Sequence, residues 1–375
     1  MPKTSRADIV NAAILDSAVR GTRLDEPLTL RALTIPNRVW MSAMCQYSAG
    51  SDGVPTDWHL VHYGSRAVGG VGLVMVESTA VGAQHRITTG DLGMWTEDQV
   101  VAHRRITEFI GASGAVSGVQ LQAAGRKGAS MVPWEQNGQN SQISVDDGGW
   151  PVIAPSPIAY GDLASPREMD VTDIDELVVA FARAAELADR AGYDLVEIHA
   201  AHGYLLHQFL SPLTNQRDDE YGGTLENRMR LPLRVAAVVR RVFPAQKPVF
   251  LRLTATDWID GGIDIDEAVE FGRQLAGIGI DLLDVTSGAL ERNAEYPKRP
   301  GLNVEFSRVI ADATGLPTAP VQGIEDLELV TDILASGDAQ AVIIGRALLR
   351  DPYFYFRLNQ SDPEQIWPKQ YRRAF

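Results

Sequence analysis

The sequence predicts a single (β/α)8 TIM barrel of the α/β class, and three observations carry that prediction. Apolar runs too short for helices recur along the chain with helix-patterned segments between them, the order that builds a parallel sheet. There are eight such runs, the number that closes a parallel sheet into a barrel. No G-x-G-x-x-G follows the first run, so the rival doubly wound sheet lacks its usual sign. At 375 residues the length alone allows two domains, but single barrels with insertions also reach it.

Residues 1–25 mix Asp, Arg and Ala with Ile9, Val10, Ile14 and Leu15, an N-terminal extension expected to form a short surface helix or to lack order. Residues 28–35 read as a small hairpin that closes the bottom of the barrel. The strands are expected at 38–41, 73–76, 116–121, 195–198, 249–253, 282–285, 317–321 and 341–344. Helices are expected at 59–68, 97–110, 174–191, 226–242, 266–276, 304–313 and 326–335. The third is the clearest: Leu177, Val178, Phe181, Ala184, Ala185 and Ala188 make one apolar stripe, with Thr172 as N-cap and Gly192 as stop. The barrel is assigned to 26–358 and a C-terminal tail to 359–375. Three connections exceed the usual barrel loop: 123–170, 200–225 and 287–302, after strands 3, 4 and 6. Each follows a strand, which puts it on the C-terminal face where catalytic residues of such barrels sit.

Composition narrows the partners. Hydrophobic residues are 45% and charged ones 22%, a balance that buries a large core. The formal net charge of −14 argues against nucleic acid or an anionic membrane as the main partner, while leaving room for one local phosphate pocket. The single cysteine, Cys45, permits neither an intrachain disulfide nor a four-cysteine iron–sulfur cluster. No apolar run reaches the ~18–20 residues that span a bilayer, and the N-terminus does not read as a signal peptide. A soluble, cytoplasmic protein is expected.

The chemistry concentrates in 194–228, DLVEIHAAHGYLLHQFLSPLTNQRDDEYGGTLENR. A short apolar strand delivers His199, His202 and Tyr204, which can donate hydrogen bonds and supply a proton. Met44, Cys45 and Tyr47 follow strand one, and Ser78 and Thr79 follow strand two. Strand three ends in Gln120 with Arg126 and Lys127 beyond, and strand five carries Arg252, a charge that needs a buried partner. Strands seven and eight end at Gln322-Gly323 and Gly345-Arg346, the usual phosphate position of such barrels. A phosphate anchor with amide, guanidinium and imidazole donors suits flavin mononucleotide. Gln120 would face its pyrimidine edge and Arg252 the end that gains charge on reduction.

Taken together, MCQYSA with Cys45, DWHLVHYGSRA from Asp57, QLQAAGRK from Gln120, HAAHGYL from His199, NQRDDEYGG from Asn215 and GRALLRDPYF from Gly345 resemble the Old Yellow Enzyme family of flavin-dependent ene-reductases. The nearest likeness is to its thermophilic-like, xenobiotic-reductase branch. The resemblance runs from about Leu28 to the C-terminus. It implies an FMN-binding barrel that takes hydride from NADPH or NADH and reduces activated alkenes, among them enones, enals, maleimides and nitroalkenes, by ping-pong kinetics. It further implies that His199 and His202 bind the substrate oxygen and that Tyr204 protonates the α-carbon. Cys45 would lie against the flavin, and Tyr47 would help hold substrate. Ala43, Met44, Cys45, Ser78, Gln120, His199, Arg252, Gly323, Gly345 and Arg346 match FMN-contacting positions, and Lys127 falls with the substrate-binding set. The tail WPKQYRRAF resembles one that reaches a neighbouring subunit, with Arg373 entering the partner's site in a homodimer or homotetramer. Three positions depart from the pattern. Ala43 stands where a proline is common, Ala124 where a histidine is frequent, and Gln322 where xenobiotic reductases can carry a tryptophan.

Plainer readings stand beside these. Each histidine could be satisfied by a backbone carbonyl, Lys127 could be a surface charge, and Trp367 and Arg373 could belong to a frayed end. H-x-x-H can present two imidazoles to a metal, but no residues at ligand spacing complete the set, so no metal is expected. Quinone or nitro-compound reduction, or a non-enzymatic flavin binder, are the alternative functions.

Overall fold

A computed structural model describes residues 23–135, 142–359 and 366–374. Of the expected N-terminal extension, residues 1–22 lie outside the described part. The first strands, β1 (Leu28–Leu30) and β2 (Leu33–Ile35), form the expected antiparallel hairpin. Leu30 and Ile35 turn inward from it to plug the bottom of the barrel.

Then follow β3 (Val39–Met41), β4 (Leu73–Ala80), a two-residue β5 (Leu92–Gly93) beside β4, and β6 (Val116–Gln122). A small parallel pair, β7 (Ile153–Ala154) and β8 (Arg167–Glu168), lies within the first long connection. The remaining strands are β9 (Leu195–Ala200), β10 (Val249–Thr254), β11 (Leu282–Thr286), β12 (Thr318–Pro320) and β13 (Val342–Ile344). Eight of them pair in parallel in the order β12-β11-β10-β9-β6-β4-β3-β13, and a bridge between Val321 and Ile343 closes the ring. This is the (β/α)8 barrel.

Strand alternation sorts the apolar side chains into two cores. Trp40, Leu73, Met75, Leu195, Phe250, Leu282 and Ala319 fill the lower barrel, with Trp40 stacked on Phe250 at 5.8 Å. Their neighbours Val39, Val74, Ile198, Leu251 and Leu283 turn outward against the helices.

The helices fall near their expected places, at Asp57–Val68, Glu97–Ala112, Val171–Arg190, Leu225–Val242, Ile265–Ile278, Val304–Thr314 and Leu327–Ser336. Three expectations are corrected. Asp170, not Thr172, caps Val171–Arg190: its carboxylate accepts the Asp173 N–H at 2.9 Å, and the Asp173 carboxylate accepts the Asp170 N–H in return. A carboxylate also suits the positive end of the helix dipole. The connection after β9 holds a helix, Leu205–Leu210, formed because all six of its side chains are buried. Finally, β4, β6 and β9 outrun their expected ends, so Ser78 and His199 lie within strands, as Gln120 was expected to. A bulge between Val76 and Ser78 brings Ser78 level with Gln120.

Candidate active site

The barrel interior changes character toward its C-terminal end. Two-residue steps give the inward series Leu195, Glu197, His199 on β9; Phe250, Arg252, Thr254 on β10; and Leu282, Asp284, Thr286 on β11. Parallel register sets Arg252 beside both His199 and Asp284. An apolar layer thus carries a charged layer, and above that a layer of hydrogen-bonding groups.

The charged layer is dry. Glu197, Arg252 and Asp284 are each at most 2% exposed. Arg252 Nε donates to Asp284 Oδ2 at 2.7 Å and Nη2 to Ser42 Oγ at 3.0 Å. Gln120 Nε2 donates to Glu197 Oε1 at 2.7 Å. The partner that Arg252 needed is therefore Asp284, with Glu197 at 3.8 Å. Burial works against the guanidinium charge, but these two carboxylates outweigh it and raise its pKa. Burial pushes both carboxyls up, although Arg252 opposes the shift.

Above this layer opens a cavity of about 350 Å³. Ala43, Met44, Arg252, Gly323, Gly345 and Arg346, all expected from the sequence, line it together with His202. Gly323 has φ +71°, and a Cβ there would lie 2.7 Å from the Arg299 carbonyl, so the turn requires glycine. The helix opened by Gly345 is only Arg346–Arg350, and the Arg346 side chain is 71% exposed near Glu325. The donors at this end of the cavity are therefore loop backbone and one long, exposed side chain more than a helix N-terminus.

His199, His202 and Tyr204 come together beside the cavity. The rings of His202 and Tyr204 lie 5.2 and 5.1 Å from that of His199, both edge-on. His202 sits at φ +56° and Gly203 at +67°, a left-handed pair that lifts the His202 ring over the barrel mouth. Several bonds hold this turn. Thr254 Oγ1 accepts the His202 N–H at 3.2 Å, and Thr286 Oγ1 lies 3.0 Å from His202 Nε2. His207 Nδ1 accepts the Gly203 N–H at 2.8 Å, and His207 Nε2 lies 2.9 Å from the buried Asp257 carboxylate. Burial lowers the pKa of His199 and His202, aided at His199 by His202 and at both by Arg252, His207 and Lys127, so both rings are neutral donors. Burial raises the Tyr204 hydroxyl, which keeps its proton. His199 Nδ1 is buried and has no hydrogen-bond partner among the described residues.

Lys127 is no surface charge. Its ammonium donates to the carbonyls of His202 at 2.8 Å and Ala289 at 2.7 Å, and lies 5.3 Å from the Tyr204 ring. Burial, with Arg126 adjacent, lowers its pKa to about 7. Cys45 is half-buried and hydrogen-bonded to Tyr47, and burial with Glu77 and Asp91 nearby keeps it a thiol. Tyr47 has φ +49° and packs 6.1 Å from Trp134. Arg373 does not line the cavity. The tail folds back on its own chain, with Trp367 stacked on Phe356 at 4.5 Å, and leaves Arg373 exposed. The sequence reading missed Glu197, Asp284, Thr286, His207 and Asp257. The first three were within reach, each two residues along a strand from an inward-facing group.

Residues 23–365 match the family described as NADH:flavin oxidoreductase / NADH oxidase. The chain belongs to that family. It is 40% identical to the NADPH dehydrogenase of Bacillus subtilis over 94% of this chain and 99% of that one. The Old Yellow Enzyme homologue from Zymomonas mobilis aligns at 26% identity and TM-score 0.75, covering 92% of this chain and 99% of that one. A 2-naphthoyl-CoA reductase aligns at 25% identity and TM-score 0.81 over 92% of this chain, which spans 53% of that longer protein. The protein is thus an Old Yellow Enzyme-type oxidoreductase, with FMN and NAD(P)H as cofactors. Among the described residues of this flavin oxidoreductase, no helix is long and apolar enough to cross a membrane.

Proposed function

We propose that this flavin oxidoreductase is an NAD(P)H-dependent ene-reductase for alkenes activated by a carbonyl or nitro group. The observation that carries the reading is the meeting of two neutral imidazoles and a protonated phenol beside the cavity, with His199 Nδ1 buried and unpartnered. Such an atom is rare unless a ligand satisfies it.

The residues fit FMN by the same test. Ser78 Oγ and both amide atoms of Gln122 are buried without partners on inward positions of the barrel mouth, as expected around a planar polar ring. Ala43, Met44, Cys45, Ser78, Gln120, His199 and Arg252 would hold the ring, and Gly323, Gly345 and Arg346 the phosphate. FMN, when bound, carries hydride from the nicotinamide to the β-carbon of the alkene. His199 and His202 hydrogen-bond the substrate oxygen and stabilise the charge that develops on it. Tyr204 gives its proton to the α-carbon, and the Lys127 ammonium beside its ring stabilises the phenolate left behind. Tyr47 borders the substrate. No separate dinucleotide fingerprint is present, so nicotinamide and alkene take turns on one face, which gives ping-pong kinetics. A cytoplasmic homodimer or homotetramer, with the exposed Arg373 serving a neighbouring site, completes the reading.

The test is an absorption spectrum, then anaerobic NADPH, then cyclohexenone. A flavin spectrum that bleaches and returns supports the reading. A flavin that stays reduced after the enone moves the substrate to quinones or nitro compounds. A protein that cannot be loaded with FMN sinks it.

A further inference from the structure

We propose that Glu197 and Asp284 share one proton in the floor of the flavin site, and that this proton sets the charge Arg252 presents to the flavin. The second half rests on the placement of FMN proposed above.

Three observations carry the shared proton. The layer holds one guanidinium and two carboxyl groups, all at most 2% exposed. With both acids ionised the floor would carry an uncompensated negative charge in a dry interior, where an unpaired charge is costly enough that the group takes up a proton instead. The hydrogen bonds point the same way. Glu197 Oε1 is bonded to Gln120 and Asp284 Oδ2 to Arg252, while Glu197 Oε2 and Asp284 Oδ1 are both buried and have no donor. The two acids lie within hydrogen-bond reach of each other. A single proton shared by the two acids supplies the pair with a donor and brings the layer to neutrality. It is the arrangement of two acids that cannot both ionise at close range.

Among the described residues, the surroundings supply no other counter-charge at this level. Facing the pair are Ser42 just after β3, Gln120 from β6, His199 above Glu197 on β9, Arg252 from β10 and Thr286 above Asp284 on β11. Below are Leu195, Phe250 and Leu282, and Ala319 and Ile343 complete the ring from β12 and β13. The other titratable groups that feel or perturb Arg252 are Cys45, His199 and His202, a thiol and two neutral rings. Arg252 also lines the cavity. It therefore faces the flavin on one side and the acid pair on the other. While the proton is present, the floor is neutral and the guanidinium favours negative charge gathering on the ring. When the proton leaves, the floor turns negative and opposes it. The pair is a positioning and charge-setting device, not a group that touches the reacting atoms.

The test uses the full chain, with and without FMN, as wild type, Glu197→Gln, Asp284→Asn and the double variant. Infrared difference spectra in light and heavy water read the carboxylic-acid carbonyl directly and need no flavin. The wild type should show one protonated, buried acid that both single variants lack, because each leaves one carboxylate paired with Arg252. Midpoint potentials of bound FMN should agree among wild type and single variants at mildly acidic pH. On raising the pH, the wild-type potential should fall further than those of the single variants. The double variant, if it folds, strands Arg252 without a carboxylate and should favour reduction at least tenfold, about 30 mV for a two-electron couple. A wild type that binds FMN but shows no protonated acid, or a Glu197→Gln variant that keeps the band, overturns the proposal and leaves the flavin reading intact. A band without any difference in the pH dependence of the potential overturns the link to Arg252. Failure to bind FMN in every form instead removes the reading on which that link rests.

Discussion

Replacing Asp257 by Asn changes one atom far from any substrate, yet it should slow alkene reduction. Asp257 Oδ2 accepts the Ser211 hydroxyl at 2.7 Å and the Ile263 N–H at 2.9 Å, and Oδ1 faces His207 Nε2 at 2.9 Å. Because His207 Nδ1 already accepts the Gly203 N–H, the ring proton sits on Nε2, beside the Asp257 carboxylate. Burial works against the Asp257 charge, but His207, Ile263 and Ser211 together outweigh it and hold the carboxyl below its ordinary range. An amide keeps only one acceptor. If its oxygen stays with Ser211 and Ile263, its NH2 meets the His207 N–H. If His207 changes tautomer to receive that NH2, its own Nδ1–H meets the Gly203 N–H.

Either way one donor is left facing another, and both side chains are fully buried, so water cannot relieve the clash. An unsatisfied buried donor costs about 1–3 kcal/mol, which is the destabilisation expected in chemical denaturation. The tautomer change would release Gly203 and with it the strained turn that holds His202. A displacement of about 1 Å at a positioning group can cost about 10²-fold in rate. That loss should fall on the alkene half-reaction in anaerobic stopped flow, while flavin reduction by NADPH changes little. A variant within about 0.5 kcal/mol of wild type, with both half-reactions unaltered, would refute the argument. An equal loss in both half-reactions would show that the turn does not act through His202.

Tyr204→Phe should slow alkene reduction by about 10²–10⁴-fold with flavin reduction largely kept, and equal losses in the two would contradict the proton-donor role. His199→Ala should weaken binding of phenol, a probe for the oxygen site, while FMN stays bound; titration by flavin absorbance shows whether phenol affinity moves. The contribution of Glu197 to stability should fall as pH rises. Burial, with Asp284 nearby, pushes Glu197 up to about 8. The folded chain therefore keeps a proton that the unfolded chain gives up above about pH 4–5. Between there and about pH 8 the slope is at most about 1.4 kcal/mol per pH unit, and Glu197→Gln should flatten it in denaturation at several pH values.

What was legible in the sequence follows from what each pattern constrains. Short apolar runs alternating with amphipathic segments leave few packings, so the hairpin, the eight strands and the seven helices fell near their places. Strand ends were underestimated because Ser78, Gln122, His199, Thr254 and Thr286 are polar, and polarity was taken to mark a loop. Inside a barrel mouth it marks the inward face of a strand that has risen above its apolar layer. The same reasoning explains the missed acids. Glu197 and Asp284 are hidden within runs that look like ordinary core strands, and only the two-residue step from His199 and Thr286 turns them inward. Arg252 was recognised as a charge needing a partner, but a single sequence does not give the register between strands, and register chose Asp284. The His207–Asp257 support was less accessible still, since 50 residues, with one helix and one strand among them, separate its members. The residues that would touch flavin and substrate were readable as motifs. Those that hold them at the right charge and angle became visible only once the strands were set side by side.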